Sequence, residues 1–267
     1  MSPLLRVSDL TVRYGIVTAV DAVSIAVPPG SLVGLIGPNG AGKTTMIDAL
    51  TGFTASTGRI EFDGHELAGV RPHRLPAKGL ARTFQSLELF EDLTVRENLL
   101  VSADPRPWWA VLRDVVAPRA GAAGSQVDEA LATVGLPEVA DRLPGLLSHG
   151  QRKLVAVARA LCSGPKLLLL DEPAAGLDSE ESLALGRQLR RLVDSGTTVL
   201  LVDHDMGLVL SVCDQIHVLK EGRLLVSGTP AQIRRDPAVI AAYLGEHESK
   251  QHAASGSVAL PAQEMTP

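Results

Sequence analysis

The first part of the chain alternates apolar and polar residues. From Leu4 to Val27 apolar side chains recur at every second position in places, as at Val23, Ile25 and Val27. A period of two is typical of strands that have one face on a core and the other in solvent. The segment therefore predicts an antiparallel pair of strands that turns near Gly15.

The pattern changes after this segment. A continuous apolar run from Ser31 to Ile36 predicts a strand that is buried on both faces, and Lys43 to Leu50 predicts a helix after a glycine-rich turn. Further strands are predicted at Arg59–Phe62, Leu80–Phe84, Leu167–Leu170 and Thr198–Val202, with a helix over Glu180–Asp194 and a hairpin over Gln215–Val226 that turns at Glu221-Gly222. Alternating strands and helices favour an α/β fold with a parallel sheet.

A mainly helical stretch lies between Leu87 and Leu161. Helices are predicted there at Val95–Val101, Val127–Val134 and Gln151–Leu161. We interpret this stretch as a helical subdomain, inserted at about residues 87–161 into a domain that spans residues 1–245. Residues 246–267 lack periodicity and predict a disordered tail. The segment Pro105 to Gly124, which contains Trp108-Trp109, predicts a surface loop packed on this subdomain or a contact with a membrane partner.

The turn between the first buried strand and its helix has the composition of a phosphate-binding loop. Its eight residues match G-x-x-x-x-G-K-[ST]: Gly37, Pro38, Asn39, Gly40, Ala41, Gly42, Lys43 and Thr44. Glycines let successive N–H groups face phosphates, Lys43 adds a positive charge, and the Thr44 hydroxyl can ligate Mg²⁺. We include Thr45 among the binding residues. A chance glycine-rich turn is the alternative, and the match at all eight positions disfavours it.

Two carboxylates and a histidine follow later buried strands. Asp171 and Glu172 come directly after Leu167–Leu170, and His204 follows Thr198–Val202. Open α/β sheets bind ligands at the carboxyl ends of their strands, where these residues stand. We therefore expect Asp171 to hold Mg²⁺ and Glu172 to orient or deprotonate the water that attacks the phosphate. The alternatives are that the acids only cap the next helix and that the histidine is structural.

Composition narrows the class of protein further. The formal net charge of −5, without a long basic run, argues against nucleic acid as the main partner. The N-terminus resembles no export signal, and no apolar run reaches about 18 residues, so we expect a chain that is neither exported nor membrane-spanning. The two cysteines, Cys162 and Cys213, have no metal-binding spacing and predict buried thiols in a reducing cytoplasm.

One short motif makes the chain resemble a known family. The segment Leu147-Ser148-His149-Gly150-Gln151 resembles the signature of ABC ATPases, commonly Leu-Ser-Gly-Gly-Gln, which GTPases and kinases lack. His149 stands where the family usually has glycine. The resemblance covers about residues 4 to 245 and implies a RecA-like P-loop NTPase core, with an N-terminal antiparallel β subdomain and an inserted α-helical subdomain.

The resemblance also implies roles for individual residues. Tyr14 matches the aromatic residue that stacks on adenine, and Gln85 matches the glutamine that contacts Mg²⁺ and the transmembrane partner. Asp178 lies in a match to the D-loop, and His204 matches the switch histidine. Ser148, Gly150 and Gln151 would reach the ATP of a partner subunit. The implied cofactors are ATP and Mg²⁺, with Thr44, Gln85 and Asp171 on the metal.

Several segments resemble one subfamily, the ATP-binding subunits of branched-chain amino acid importers. They are Ala81–Gln85, Leu93–Leu100, Asp171–Leu177, His204–Met206 and Asp236–Gly245. The implied partners are transmembrane permeases, a second ATP-binding subunit and, indirectly, a substrate-binding protein, at the cytoplasmic face of the membrane. Urea importers and the ATPase of lipopolysaccharide export have similar stretches.

Two other classes remain as alternatives. A soluble ABC ATPase is disfavoured because the chain has neither a second cassette nor a long coiled coil. A regulatory module without hydrolysis would be expected to lack Glu172 or His204, and both are present.

Overall fold

A computed structural model describes residues 2–83, 89–103 and 122–243. The strands are β1 (Leu5–Tyr14), β2 (Val17–Val27), β3 (Leu32–Ile36), β4 (Thr57–Phe62), β5 (His65–Glu66), β6 (Leu80–Arg82), β7 (Leu167–Asp171), β8 (Thr198–Val202), β9 (Gln215–Lys220) and β10 (Arg223–Gly228). The helices are α1 (Lys43–Leu50), α2 (Val95–Ala103), α3 (Ala122–Thr133), α4 (His149–Leu161), α5 (Ser179–Asp194), α6 (Met206–Val212) and α7 (Pro230–Arg235). Residues 237–243 are also helical.

A six-stranded sheet forms the centre of the protein, in the order β10-β9-β3-β8-β7-β6. All neighbouring pairs are parallel except β10 with β9, which form the C-terminal hairpin. Side chains of β3, β7 and β8 alternate between two cores. Leu168 and Leu170 pack on the side of α4 and α5, whereas Leu167 and Leu169 pack on the side of α1 and the second sheet. This explains the continuous apolar runs, because both faces of these strands are buried.

The N-terminal strands form a separate antiparallel sheet, in the order β2-β1-β4-β5. Its inner face joins the core that also holds α1 and one face of the central sheet. The predicted hairpin with a turn near Gly15 is therefore confirmed, as is the α/β fold with an antiparallel β subdomain. Helices α2, α3 and α4 lie in the chain between β6 and β7. The exact limits of the predicted domain and tail stay predictions.

Some elements differ from the sequence-based expectations. Helix α3 starts before the predicted Val127, because its first turns consist of small and polar residues that carry no apolar period. Helices α6 and α7 were not predicted, since seven or six residues are too few for a helical period to show. Phe84, Gln85 and the pair Trp108-Trp109 lie outside the described residues.

Both cysteines are buried, as predicted, and burial raises the pKa of the Cys162 thiol to about 12.

Across residues 2–83, 89–103 and 122–243, no helix combines the length and apolar character needed to cross a lipid bilayer.

His217 is a buried histidine that joins three strands. On β9, its Nδ1 lies 2.7 Å from the Ser227 hydroxyl on β10, and its Nε2 lies 3.3 Å from the carbonyl oxygen of Ala26 on β2. A neutral ring that donates from Nε2 and accepts at Nδ1 satisfies both contacts. Burial lowers the pKa of His217 below its usual value, and the Ala26 carbonyl only partly offsets this.

His217 should make the protein less stable in mild acid. The unfolded chain binds a proton near the ordinary histidine pKa, about 6.5, and the folded chain only at lower pH, so stability is fully present above that pH and is lost below it. Between about pH 7.5 and about pH 5.5, the free energy of unfolding of the wild type should fall by up to about 1.4 kcal/mol more than that of His217→Gln. Urea titrations measure both, and the exposed His73→Gln is the control, expected to follow the wild type. Parallel pH profiles for wild type and His217→Gln would contradict this assignment.

Candidate active site

Three neighbouring strands bring the predicted site residues to one edge of the central sheet. Leu35 on β3 pairs with Val202 on β8, and Val202 pairs in turn with Asp171 on β7. These residues form one row across the sheet, near the carboxyl ends of parallel strands. The chain continues from this row into Gly37 on one strand, Glu172 on the next and His204 on the third. The phosphate-binding loop and the polar side chains thus start from the same edge.

The P-loop, Gly37–Thr44, is packed tightly against other backbone. Gly42 has φ +95°, and a Cβ there would lie 2.5 Å from the carbonyl oxygen of Ala19. A Cβ at Gly37 would lie 2.2 Å from the carbonyl oxygen of Leu219. Only glycine fits such contacts, which explains the composition of the loop. Helix α1 begins at Lys43 with no capping side chain and no acid in its first turn, so its N-terminal N–H groups favour an anion.

Lys43 is buried inside this loop. Its ammonium donates to the carbonyl oxygen of Gly37 at 2.7 Å and to that of Pro38 at 3.0 Å. The lysine therefore holds the curved backbone of the loop while its charge stays beside the N-terminus of α1. Its predicted contact with phosphates stays a prediction. Thr44 and Thr45 follow in the first turn, with Thr44 exposed and Thr45 partly buried.

Asp171 is a buried carboxylate with one occupied and one open oxygen. Its Oδ2 accepts a hydrogen bond of 3.0 Å from Arg82, whose other terminal nitrogen contacts Asp48 at 2.6 Å and Thr51 at 3.1 Å. Within the described part of the chain, Asp171 Oδ1 is buried without a hydrogen-bond partner. Burial raises the pKa of Asp171, and the Arg82 guanidinium acts in the opposite direction. An unpartnered carboxylate oxygen fits a ligand of Mg²⁺ or of its bound water.

Glu172 and His204 lie close together. His204 Nδ1 is 3.8 Å from Glu172 Oε2 and 3.7 Å from Asp203 Oδ1, distances that are too long for hydrogen bonds. The Glu172 side chain is 19 % exposed and that of His204 54 %, so both can be reached by solvent or a ligand. Helix α5 is capped by Asp178, not by Asp171 or Glu172. The alternative that the two acids merely cap the next helix is therefore wrong.

Asp203 is a fully buried carboxylate between β8 and His204. Its Oδ1 accepts from the backbone N–H groups of His204 at 2.8 Å and Asp205 at 3.0 Å, and its Oδ2 accepts from the N–H of Ala174 at 3.1 Å. One side chain thus fixes both the segment that carries His204 and the loop that follows Glu172. These hydrogen bonds stabilise the negative charge of the carboxylate.

Lys153 brings helix α4 into the site. It is buried on the face of α4 that points to the core, and its ammonium donates to the carbonyl oxygen of Ala175 and, at 3.4 Å, to that of Glu172. Burial lowers the pKa of Lys153, and the nearby charges of Asp203 and Glu172 act in the opposite direction.

The predicted signature turn forms the start of α4. Ser148 Oγ accepts from the Gln151 N–H at 3.2 Å, and Gln151 Oε1 accepts from the Ser148 N–H at 3.0 Å, which is a capping box. A Cβ at Gly150 would lie 3.1 Å from Glu181 Oε1. Both capping side chains are engaged within their own helix, and their predicted contact with a second subunit's ATP stays a prediction.

The remaining predicted residues are placed as follows. Tyr14 ends β1, is 52 % exposed, and its hydroxyl lies 3.2 Å from that of Thr54. Its predicted stacking on adenine stays a prediction. Asp178 caps α5 through the N–H groups of Glu180 and Glu181, at 2.9 and 2.8 Å. Gln85 lies outside the described residues, so its predicted contact with Mg²⁺ stays a prediction as well.

Sequence reasoning missed three charged residues of this site, namely Arg82, Lys153 and Asp203. Lys153 carried a usable signal, because it falls four residues before Val157 on the apolar side of a helix where a charge is unexpected. Arg82 lies within the predicted strand Leu80–Phe84 and Asp203 directly follows Thr198–Val202, and neither carries such a signal.

Asp203→Asn should destabilise the fold. An amide has one oxygen in place of two, so at least one of the three N–H groups that Asp203 binds would face another donor inside the protein. We expect the free energy of unfolding to fall by about 2 kcal/mol in a urea titration. Asp194→Asn, at a site whose side chain is 67 % exposed, is the control and should change stability by less than about 0.5 kcal/mol. Equal stability of the two variants would contradict this account of Asp203.

Comparison with known proteins agrees with this geometry. Residues 20–175 match the ABC transporter family, and residues 223–249 match a segment described as branched-chain amino acid ATP-binding cassette transporter. The chain is 43% identical over 251 residues to the high-affinity branched-chain amino acid transport ATP-binding protein BraF of Pseudomonas aeruginosa, which covers 91% of this chain and 98% of BraF.

Solved structures give the same answer. The ADP conformation of MJ1267, an ATP-binding cassette of an ABC transporter, superposes with a TM-score of 0.82 at 31% identity, over 92% of this chain and 100% of that one. The dimeric structure of MJ0796, a bacterial ABC transporter cassette, gives a TM-score of 0.68 at 26% identity, over 85% of this chain and 98% of that one. The chain therefore belongs to the ABC transporter family, as one of its ATP-hydrolysing ATP-binding cassettes.

Proposed function

We propose that this cassette is the motor subunit of an importer for branched-chain or other hydrophobic amino acids, bound to permeases at the cytoplasmic face of the membrane. The observation that carries the proposal is the edge shared by the P-loop, Asp171, Glu172 and His204. The similarity to BraF over nearly the full length of both chains, together with the match at residues 223–249, supports the class of cargo.

The residues of the site would have separate roles in binding and hydrolysing ATP. The P-loop N–H groups and Lys43 would bind the β- and γ-phosphates. Thr44, Asp171 and Gln85 would hold Mg²⁺, which when bound neutralises charge on the phosphates. Glu172 would orient the attacking water and accept its proton, and His204, next to Glu172, would contact the terminal phosphate. Tyr14 would stack on the adenine ring.

A second subunit would complete the site. The signature residues Ser148, Gly150 and Gln151 lie at the N-terminus of α4, a position suited to the phosphates of a facing subunit. The similarity to the dimeric MJ0796 cassette supports such a pair. ATP between two subunits would stabilise the closed dimer, and hydrolysis would release it. Opening and closing would then drive the permeases, with the substrate-binding protein acting on them from the other side.

Glu172→Gln should separate binding from hydrolysis. The amide keeps the size of the side chain but cannot accept a proton, so the rate of phosphate release should fall by about 100-fold or more. ATP binding should persist, and an ATP-dependent dimer should accumulate on size-exclusion chromatography. Glu129→Gln, at an exposed position on α3, is the matched control and should behave like the wild type. Near-normal phosphate release by Glu172→Gln would remove Glu172 from the reaction.

The cargo is tested by transport in proteoliposomes. We expect the cassette, reconstituted with its permeases and binding protein, to drive ATP-dependent uptake of labelled leucine, and Glu172→Gln to abolish this uptake. Urea and sulfate are offered in parallel as competing cargoes. ATP-dependent uptake of urea with no uptake of leucine, or export in place of import, would overturn the proposed cargo while leaving the ATPase assignment intact.

A further inference from the structure

Lys153 is a charged residue of the site to which the proposed reaction assigns no role. It lies on α4, five positions after the capping Ser148, and is only 7 % exposed. Its ammonium points at backbone and not at a side chain, because it contacts the carbonyl oxygens of Ala175 and Glu172. A buried ammonium is costly unless it is hydrogen-bonded, so these contacts require an explanation.

The backbone that Lys153 contacts has an unfavourable conformation. Glu172 has φ +47°, in the left-handed region that residues with a side chain seldom occupy. Such a conformation persists only where surrounding contacts hold it, and it is concentrated at functional sites. At Glu172 it determines where the carboxylate points, because the side chain follows from the backbone of its own residue.

Contacts from two directions hold this loop, Glu172–Ala175. From the sheet, Val202 accepts the N–H of Glu172 at 2.7 Å, and Asp203 accepts the N–H of Ala174 at 3.1 Å. The N–H of Ala175 also closes a turn onto the carbonyl oxygen of Glu172 at 3.2 Å. The two contacts from the sheet engage N–H groups of the loop. Lys153 engages its carbonyl oxygens, those of Glu172 and Ala175, and it reaches them from α4.

We propose that Lys153 is a positioning residue that holds Glu172 in its left-handed conformation and thereby sets the direction of its carboxylate. The inference rests on the proposed role of Glu172 in hydrolysis. Lys153 touches neither the P-loop nor the side chain of Asp171 in any contact described above, so it acts on the reaction through Glu172 and not on nucleotide binding. Its proposed role therefore differs from that of Lys43, which lies in the P-loop and would bind phosphates.

The signature turn lies next to the same segment. His149 lies one turn before Lys153 on α4, and a Cβ built at Gly176 would lie 3.3 Å from His149 Nε2. His149 and Lys153 therefore lie near consecutive residues of one chain segment, Gly176 and Ala175. The hydrogen bond from Lys153 to Ala175 joins α4 to the loop that carries Glu172.

The test compares Lys153→Met with Lys153→Arg in the full-length chain. Lys166→Met is the matched control, because it makes the same substitution at an exposed lysine that pairs with Asp63. Turnover is measured at saturating Mg-ATP, and nucleotide affinity is measured separately by calorimetry with Mg-ADP. We expect Lys153→Met to lower kcat by about tenfold or more with Kd changed less than about twofold, and Lys153→Arg to recover kcat to within about threefold of the wild type.

A double-mutant cycle distinguishes this role from a general loss of structure in the Lys153 variant. If Lys153 acts through Glu172, Lys153→Met in the Glu172→Gln background should change the residual turnover by less than about twofold. If Lys153→Met does not fold, as judged by thermal unfolding, Lys153→Gln takes its place under the same criteria.

Three results would overturn the inference. They are a kcat of Lys153→Met equal to that of Lys166→Met, a nucleotide affinity that falls as much as kcat, and full additivity with Glu172→Gln. Failure of the proposed role of Glu172 in hydrolysis looks different, since Glu172→Gln would then retain wild-type turnover. A normal effect of Glu172→Gln with no effect of Lys153→Met would reject only the role of Lys153.

Discussion

The site depends on the register of β3, β7 and β8, which aligns the carboxyl ends of these three strands. Because Leu35, Val202 and Asp171 pair in one row, the next residues of each strand emerge at one edge. The register is held by side chains packed on both faces, so sliding one strand would displace buried leucines from two cores at once. Chemistry at this edge is therefore positioned by apolar packing some distance away, and the polar residues need only local contacts to complete it.

Those local contacts form a balanced set of buried charges. Asp171 and Asp48 share Arg82, Asp203 binds backbone N–H groups, and Lys153 and Lys43 bind backbone carbonyl oxygens. A buried charge is tolerated when hydrogen bonds satisfy it, and here backbone groups satisfy those of Asp203, Lys153 and Lys43. The consequence is that each of these three charges also fixes a piece of chain. They hold loops at the position where the proposed triphosphate would bind.

The parts of this arrangement that depend on neighbouring residues could be predicted from the sequence, whereas the pairs of residues far apart in the chain could not. The P-loop, the paired acids and His204 could be recognised because each depends on a strand and the few residues that follow it. Arg82 and Asp171 are 89 positions apart, Asp203 and Ala174 are 29 apart, and Lys153 and Ala175 are 22 apart. No periodicity links such residues, so their pairing becomes visible only with the strand order. Helices α6 and α7 were not predicted because they are short, although Asp205 and Thr229 stand at their N-caps.

The contacts of α4 also bear on how two sites would communicate. In the proposed dimer, the signature turn of one subunit faces the nucleotide of its partner, whereas Glu172 serves the nucleotide of its own subunit. These two parts are connected by α4, which begins at the signature turn and donates through Lys153 to the carbonyl oxygens of Ala175 and Glu172. A displacement of α4 imposed by the partner's nucleotide would therefore act on the backbone of Glu172 through these hydrogen bonds. The side chain of His149, where the family usually has glycine, lies on the same helix next to Gly176.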